Sequence, residues 1–599
     1  MGRAGGCVRR NSRPQSGAWA HLFHWRLELV LTGGTDMSPD LRAASIVAPP
    51  DETLQDFAQI RRYLKNGRTP WRRLSEKRRG RLINETIVTR EAAGEANGKP
   101  FPLHDNYFVQ NSEFNYYIYK RFEREIAYAA TQKLKSERPA DSAYRLLSFA
   151  HVFFLTLSLL ILTFTFYASP IATLITLNAA ITLFFLAAIF FRVYLIILSR
   201  NEPVRSDSPI VIDDDALPII SILLPLYRDA QSLPTLIQAI DNLDYPESKK
   251  DVKLLLEDDD IDTITEARRL GLHDRYQFVI TPHNTPKTKP KACNYGLYLA
   301  RGDLIVIYDA EDLPEREQLK KAAAAFNGAD GQLACVQARL NYYNANDNWL
   351  TRLFTLEYSL WFDWLLPALQ RMDAPIPLGG TSNFFRTDIL ENVGGWDPFN
   401  VTEDADLGLR LSRLGYRVEV LDSTTYEEAN CQVNNWIRQR SRWMKGYLQT
   451  WLVHMRKPHR IIETTGWKGF FAVQMFVAGN LFSALINPVM WALFLMWIFV
   501  KAPLIEQMFP SPLMQINLAA LAFGNIFFIA MMALAPIKRN RSDLSMYGLL
   551  TPVYWLLTSV AAYKGMWQAI TKPHYWEKTD HVISDAAKAR RTKALNDHF

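Results

Sequence analysis

Apolar positions along this chain are gathered into blocks rather than spread evenly. Residues 146–167 and 171–198 form two nearly uninterrupted apolar runs parted by Ala168-Ser169-Pro170, and neither carries a charge before Arg192. Each is long enough to cross a hydrocarbon layer of ~30 Å as a helix, so the pair predicts a transmembrane hairpin over 146–200. Arg145 ahead of it and Arg200 and Arg205 behind it put both ends, and the long segment after them, on the positive cytosolic side. Three further runs, 469–500, 513–535 and 546–563, lie near the end of the chain, with Gly479 and Pro488 interrupting the first. Lys538, Arg539 and Arg541 before the last run and Lys564, Lys572 and Lys578 after it all favour the cytosol. Either 546–563 is re-entrant or tilted, or the first of these runs splits into an interfacial helix and a crossing.

Between the membrane blocks the pattern changes to short apolar runs that end in acids. Ile219 to Tyr227 reads as a strand and loop, followed by a helix over 233–243. Val252 to Leu256 reads as a second strand ending in Glu257-Asp258-Asp259-Asp260, and Phe278-Val279-Ile280 as a third. Leu304-Ile305-Val306-Ile307-Tyr308 is a fourth, buried on both faces, ending in Asp309-Ala310-Glu311-Asp312. This alternation predicts a doubly wound parallel sheet with ligands at the carboxyl ends of its strands. Side chains two apart on extended backbone point the same way, so Asp309 and Glu311 can jointly reach one divalent cation, with Asp312 as an alternative second ligand.

Ahead of the hairpin, residues 1–36 are rich in Arg, Gly and Ser, and Met37 opens a more ordinary N-terminus. Residues 51–147 show helical periodicity with many Arg and Lys, notably over 114–135. The whole of 1–145 reads as a basic extension, partly disordered and partly helical, its helical part a solvated spacer on the membrane surface. Residues 203–217 read as a polar linker.

Composition modifies this picture only slightly. A chain of 599 residues with 48% hydrophobic content is too long for one core and suggests two to four units. The mean hydropathy of -0.10 reflects the segregation of apolar from charged blocks, not a soluble protein. The net charge of +7, from 68 basic and 61 acidic residues, fits an anionic membrane surface or a nucleotide-sugar phosphate. No dense Lys/Arg stripe marks the central region, so no nucleic-acid partner is expected. Cys7, Cys293, Cys335 and Cys431 show no C-x-x-C spacing, which indicates neither a zinc site nor a disulfide framework.

Four motifs occur in order: the acids after Leu256, Asp309-Ala310-Glu311, Val401-Thr402-Glu403-Asp404-Ala405-Asp406, and Gln439-Arg440-Ser441-Arg442-Trp443. In this order the region 218–457 resembles the processive, membrane-embedded family 2 glycosyltransferases, the group of cellulose, chitin and hyaluronan synthases. The resemblance implies an α/β GT-A-like cytosolic domain for nucleotide diphosphate sugars over 215–457, with a multi-pass α-helical transmembrane region. The boundaries then run 1–145, 146–200, 215–457, 467–565 for the C-terminal membrane or interfacial helices, and 566–599 for a cytosolic tail.

The resemblance also implies roles. Tyr227 becomes an aromatic wall for uracil, and Glu257 and Asp258 nucleotide contacts, although the family has Asp-Asp-Gly where this chain has a run of acids. Lys289, in Lys287-Thr288-Lys289-Pro290-Lys291, becomes a diphosphate contact. Asp309 and Glu311 hold Mg2+ or Mn2+, with Glu in place of the family's second Asp, an oxygen donor one methylene longer. Asp404 becomes the general base, flanked by Thr402 and Glu403. In a helix Gln439, Arg442 and Trp443 share one face, which suits clamping a phosphate and seating a terminal sugar. Gly379-Gly380-Thr381-Ser382 resembles an acceptor-side loop, the aromatic stretch 349–367 reads as packing, and Tyr575-Trp576-Glu577-Lys578-Thr579 is a candidate gating segment.

The implied activity is hexose transfer with inversion from a nucleotide diphosphate sugar, UDP-sugar favoured, to a β-linked glycan acceptor at a bacterial-type inner membrane, coupled to export with accessory subunits. The rival is non-processive transfer to a lipid-linked acceptor. Asp543-Leu544-Ser545-Met546-Tyr547-Gly548 matches the D-x-S-x-x-G string of cyclic-di-GMP barrels, but too few residues come after it for such a domain, and none is expected.

Overall fold

The computed structural model describes residues 51–66, 68, 70–74, 78, 119, 121–200, 213–283 and 285–578. The expectations for residues 1–36, Met37, the linker after Arg200 up to residue 212, and the tail beyond Lys578 lie outside them. The chain divides into two compact units, Met1–Gln55 and Asp56–Phe599.

The centre of the second unit is an eight-stranded sheet: β1 Ile220–Leu226, β2 Lys250–Glu257, β3 Gln277–Thr281, β4 Leu304–Ile307, β5 Leu313–Pro314, β6 Leu333–Tyr342, β7 Asn383–Arg386 and β8 Arg417–Glu427, in the order β3-β2-β1-β4-β7-β6-β8-β5. The first four strands of that order run parallel, as the alternating pattern predicts. Beyond them the expectation of a purely parallel sheet is corrected. β7 enters antiparallel between β4 and β6, β6 pairs parallel with β8, and β5 pairs antiparallel with β8. The sheet is therefore mixed, the arrangement of a GT-A-like fold. Apolar cores lie on both faces, which is why β1, β2 and β4 read as near-continuous apolar runs.

The expected solvated spacer is a second correction. Ile60, Leu64, Phe122 and Ile126 are buried in the same core as Tyr295 and Tyr298 of the Lys289–Tyr298 helix. The helix Glu123–Thr131 lies against that helix, where Asn294 Nδ2 donates to Ala130 O at 3.1 Å and Tyr298 Oη to Ala129 O at 3.4 Å. Residues 290–298 are consequently buried all round, on one side by the sheet and on the other by the N-terminal helix. The periodicity of this N-terminal stretch encodes an apolar face that must be covered, and a protein surface covers it here.

Among the described residues, five helices are long and apolar enough to cross a membrane: Phe149–Ala168, Pro170–Ser199, Pro458–Phe499, Leu513–Arg539 and Ser542–Thr571. Phe149–Ala168 buries no residue and presents apolar side chains on every side, as a lipid-facing helix does. Pro458–Phe499 bends at Gly466, whose φ of 69° only glycine adopts without strain, and passes through a π turn at Gln474–Ala478. The bend lies ahead of the run expected at 469–500 and does not split it. The run expected at 546–563 begins as a 3-10 segment, Ser542–Leu550, and becomes α-helical only over Thr551–Thr571. Gly548 sits there because a Cβ would lie 2.8 Å from the backbone of Ala533, so the glycine of the D-x-S-x-x-G string serves a close approach.

Candidate functional site

The site is assembled at the carboxyl ends of β1, β2 and β4. Asp309 comes after β4 in a tight turn: its amide donates to Asp312 Oδ2 at 2.7 Å, and the Asp312 amide donates to Asp309 O at 3.1 Å. Asp312 is fully buried, also hydrogen-bonded to Thr381, and does not face the cavity. It braces the turn through Oδ2, while its Oδ1 has no hydrogen-bond partner. Asp309 and Glu311 do face the cavity. Burial pushes the Asp309 carboxyl up, and Glu311 beside it adds to that, while Lys289 pulls it down.

Lys289 joins this strand end to the acceptor-side loop. Its Nζ lies 2.7 Å from Asp309 Oδ2 and 2.6 Å from Gly380 O. Burial alone would lower its pKa, but Asp309, Asp404 and Glu403 outweigh burial and raise it.

Glu403 and Asp404 open the helix Glu403–Arg413, and both are buried with one oxygen each, Glu403 Oε2 and Asp404 Oδ1, lacking a hydrogen-bond partner. That helix start is held against the helix Val433–His454. Val401 N donates to Gln449 Oε1 at 3.0 Å, Asn400 Nδ2 to Thr450 Oγ1 at 3.0 Å, and Asp406 meets His454 Nε2 at 3.1 Å. The close packing needs Gly446, where a Cβ would fall 2.3 to 2.7 Å from the side chain of Thr402. Burial pushes the Asp404 carboxyl up to about 7, with Lys289 opposing and Asp309 reinforcing. Burial, then Asp404, pushes Glu403 well above the usual carboxylate range. A buried carboxyl of that kind exchanges a proton near neutrality, as a general base requires.

From Val433–His454 the side chains of Gln439, Arg442 and Trp443 reach the same cavity, as helical spacing predicts. Gln439 Oε1 accepts from Asn430 Nδ2 at 2.9 Å, and the Arg442 guanidinium lies 4.5 Å from the Trp576 ring. Trp443 has Tyr358 stacked at 6.4 Å on one side and the Arg440 guanidinium at 4.5 Å. Arg440, read from sequence only as a filler position of the pentad, is the bracing residue. It makes two hydrogen bonds to Glu357, at 2.8 and 2.5 Å, and one to Tyr554 at 3.0 Å. The signal available was an acid, Glu357, in the aromatic-rich stretch 349–367, which also carries Arg352 and Asp363. Glu427, at the end of β8, also lines the cavity and was missed, because no periodicity marked 417–427 as a strand. Burial, Asp312 and Glu311 raise its carboxyl.

On the donor side Tyr227 comes directly after β1, its ring 3.8 Å from Lys287 Nζ and 5.4 Å from Lys578 Nζ. Glu257 is buried, paired with Lys291 at 2.9 Å, and lines the cavity. Asp258 is not brought in: it is exposed, and its carboxylate accepts from the His283 amide at 2.9 Å. The residues 575–578 fold over this end. Lys445 Nζ donates to Tyr575 O at 2.6 Å, Glu577 pairs with Lys564 at 2.9 Å, and Lys578 bonds Tyr227 O and, at 3.1 Å, Asp229.

All these lining groups bound one cavity of about 1150 Å³, which continues between the apolar helices past Asn480, Asn487, Trp491 and Trp497. Its polar floor crowds Asp309, Glu311, Glu403, Asp404 and Glu427 around Lys289 and Arg442. That excess of oxygen donors and negative charge suits a hard divalent cation, so the residues fit the metal that the sequence resemblance implies.

Residues 304–505 match the family model for glycosyl transferase family group 2. Among curated proteins, the chain is 29% identical over 238 residues to Probable glycosyltransferase YdaM of Bacillus subtilis, covering 38% of this chain and 55% of that protein. It is 27% identical over 243 residues to a beta-monoglucosyldiacylglycerol synthase of Nostoc, covering 40% and 50%. It is 24% identical over 298 residues to glucomannan 4-beta-mannosyltransferase 1 of Oryza sativa, covering 47% and 56%. The chain thus spans about half the length of the curated relatives it matches. Among solved structures, the mannosyltransferase PcManGT of Pyrobaculum calidifontis, in complex with GDP-Man and Mn2+, aligns at 19% identity and a TM-score of 0.45, covering 66% of this chain and 99% of that one. The Asp309 turn, the Glu403–Asp404 helix start and the Gln439–Trp443 face all fall inside residues 304–505, the segment that is similar to glycosyl transferase family group 2.

Proposed function

We propose that this protein is a membrane polysaccharide synthase. It transfers a hexose from a nucleotide diphosphate sugar, UDP-sugar favoured, to a growing β-linked glycan with inversion, at a bacterial-type inner membrane with the catalytic domain cytosolic, and passes the product outward, with accessory export subunits as partners. One observation carries this reading: the cavity that holds Asp404 continues without a break between the apolar helices, where Trp491, Trp497, Asn487 and Asn480 line it. Flat apolar rings and amides are surfaces on which sugars stack and hydrogen-bond. The likeness to a glucomannan mannosyltransferase supports a polymer product.

In this mechanism Tyr227 stacks on the base, Glu257 contacts the nucleoside, and Lys289 and Arg442 hold the diphosphate. Asp309 and Glu311 would hold Mg2+ or Mn2+, which neutralises charge on the departing nucleoside diphosphate. Asp404 takes the proton of the acceptor hydroxyl as that oxygen attacks the anomeric carbon from the face opposite the leaving group, so configuration inverts. Trp443 and Gln439 seat the terminal sugar, and Thr402 and Glu403 border it.

The second reading, one sugar added to a lipid acceptor, is supported by the likeness to a diacylglycerol glucosyltransferase. The test is nucleoside diphosphate release by the purified, detergent-solubilised full chain supplied with UDP- and GDP-sugars and Mg2+ or Mn2+, with product sizing. Metal-dependent release with a long product, abolished by EDTA and by Asp404→Asn, is expected. Release with a single sugar added to lipid would replace this reading with the second one.

A further inference from the structure

Two turns inside the membrane helix Pro170–Ser199 the cavity wall carries a full positive charge. Arg192 lies seven residues before the helix end, roughly 10 Å along its axis. Its side chain lines the cavity, donates from Nη2 to Asn480 Oδ1 at 2.7 Å, and has the Phe528 ring 5.3 Å away. A guanidinium cannot shed its proton, so a cation placed among apolar helices is expensive and in general marks a function. Ordinarily a carboxylate offsets that expense. Among the described residues no carboxylate pairs with Arg192, and on the membrane-helix part of the lining it is the only charged side chain.

Asn480 and Phe528 account for one N–H and one face of the group. A guanidinium has five N–H donors in a planar fork, so the others are open to the cavity. Such a fork matches the two oxygens of a carboxylate. Farther along, the same wall offers Trp491, Trp497 and Asn487, two rings and an amide on which a sugar can stack and hydrogen-bond, set among apolar side chains such as Met490, Leu493 and Phe494.

We propose that Arg192, oriented by Asn480, is an anion site for a carboxylate carried by the glycan, so that the polymer includes acidic sugar units or acidic substituents. The proposal rests on the synthase reading and deepens it: the occupant of the cavity is an acidic glycan rather than a neutral one.

The test is equilibrium binding to the purified full chain in a neutral detergent at low salt. The probes are tetragalacturonate, the neutral tetrasaccharide cellotetraose, polyprenyl phosphate and polyprenol. Tetragalacturonate is expected to bind about tenfold more tightly than cellotetraose, the effect of one charge-assisted contact. Arg192→Gln keeps an amide donor for Asn480 while removing the charge, so it should erase the preference and leave the thermal transition in place, and Arg192→Lys should retain part of the preference. Equal binding of the two tetrasaccharides, a preference that survives Arg192→Gln, or an Arg192-dependent preference confined to polyprenyl phosphate would each overturn the proposal. Nucleoside diphosphate binding and sugar transfer on the same samples separate the two readings. Carboxylate preference without transfer would sink the synthase and keep the anion site, and transfer without preference would do the reverse.

Discussion

The protonation of Asp404 controls the proposed reaction, and the site fixes the direction in which each neighbour moves it. In the unfolded chain this carboxyl titrates near 3.8, and in the fold burial lifts it to about 7. A displacement of about three pH units corresponds to something on the order of 4 kcal/mol against the ionised form. About a tenth of the molecules then carry an ionised base at about pH 6 and about nine tenths at about pH 8, so turnover at saturating donor should rise roughly tenfold across that interval. Lys289 is the main group holding the value down. Lys289→Met should therefore displace the acid limb of the profile to higher pH, whereas Lys289→Arg should leave it nearly in place. Asp404→Asn should remove the limb and lower turnover on the order of a hundred- to ten-thousandfold. The assay is nucleoside diphosphate release between about pH 5.5 and about pH 9, at saturating donor so that weakened donor binding in the Lys289 variants does not enter. A flat profile in the parent chain, or an acid-ward displacement in Lys289→Met, would show that Asp404 is not the group that sets the rate. Linkage gives the matching stability effect: a carboxyl raised by folding stabilises the fold below its unfolded pKa, and that contribution is lost as pH rises through about 7. Asp404→Asn should accordingly flatten the decline in thermal stability between about pH 4 and about pH 7.

Two further outcomes are expected from packing. Gly446→Ala would put a methyl group 2.3 to 2.7 Å from Thr402, prising the Glu403–Arg413 helix start from Val433–His454. It should cost about 1–3 kcal/mol in thermal unfolding and disproportionately more in turnover, because the displaced segment carries Asp404. Lys578→Ala removes the contacts of the C-terminal segment with Tyr227 and Asp229. It should raise the donor KM several-fold with a smaller effect on kcat, whereas an unchanged KM would mean that the segment does not close over the nucleotide.

Much of the site can be read in the sequence because strand-end acids and helix-face spacing are local properties. Gln439, Arg442 and Trp443 had to share a face whatever the rest of the chain did, whereas Asp309 and Glu311 reach the cavity together through the turn that follows Ile307 and not through strand alternation. Glu257 and Asp258 show the limit of that logic. Adjacent on one strand end, they diverge in the fold: Glu257 turns into the cavity against Lys291, and Asp258 stays at the surface. Arg440 shows another limit, since its partners Glu357 and Tyr554 are 83 and 114 residues away.

Local pattern was enough to specify the division into long apolar helices and a βα region, the four parallel strands, and the identity of the acids at their ends, because hydrophobic periodicity records which faces of each element must be buried. What buries those faces was settled only in three dimensions. There β7 is inserted antiparallel beside β4, residues 290–298 are covered by an N-terminal helix instead of solvent, and Arg192 is set against Asn480, 288 residues away, in a cavity shared with Asp404. Periodicity is written in neighbouring residues. The partner of a buried charge depends on which faces meet after the chain has closed on itself, and no local pattern encodes that.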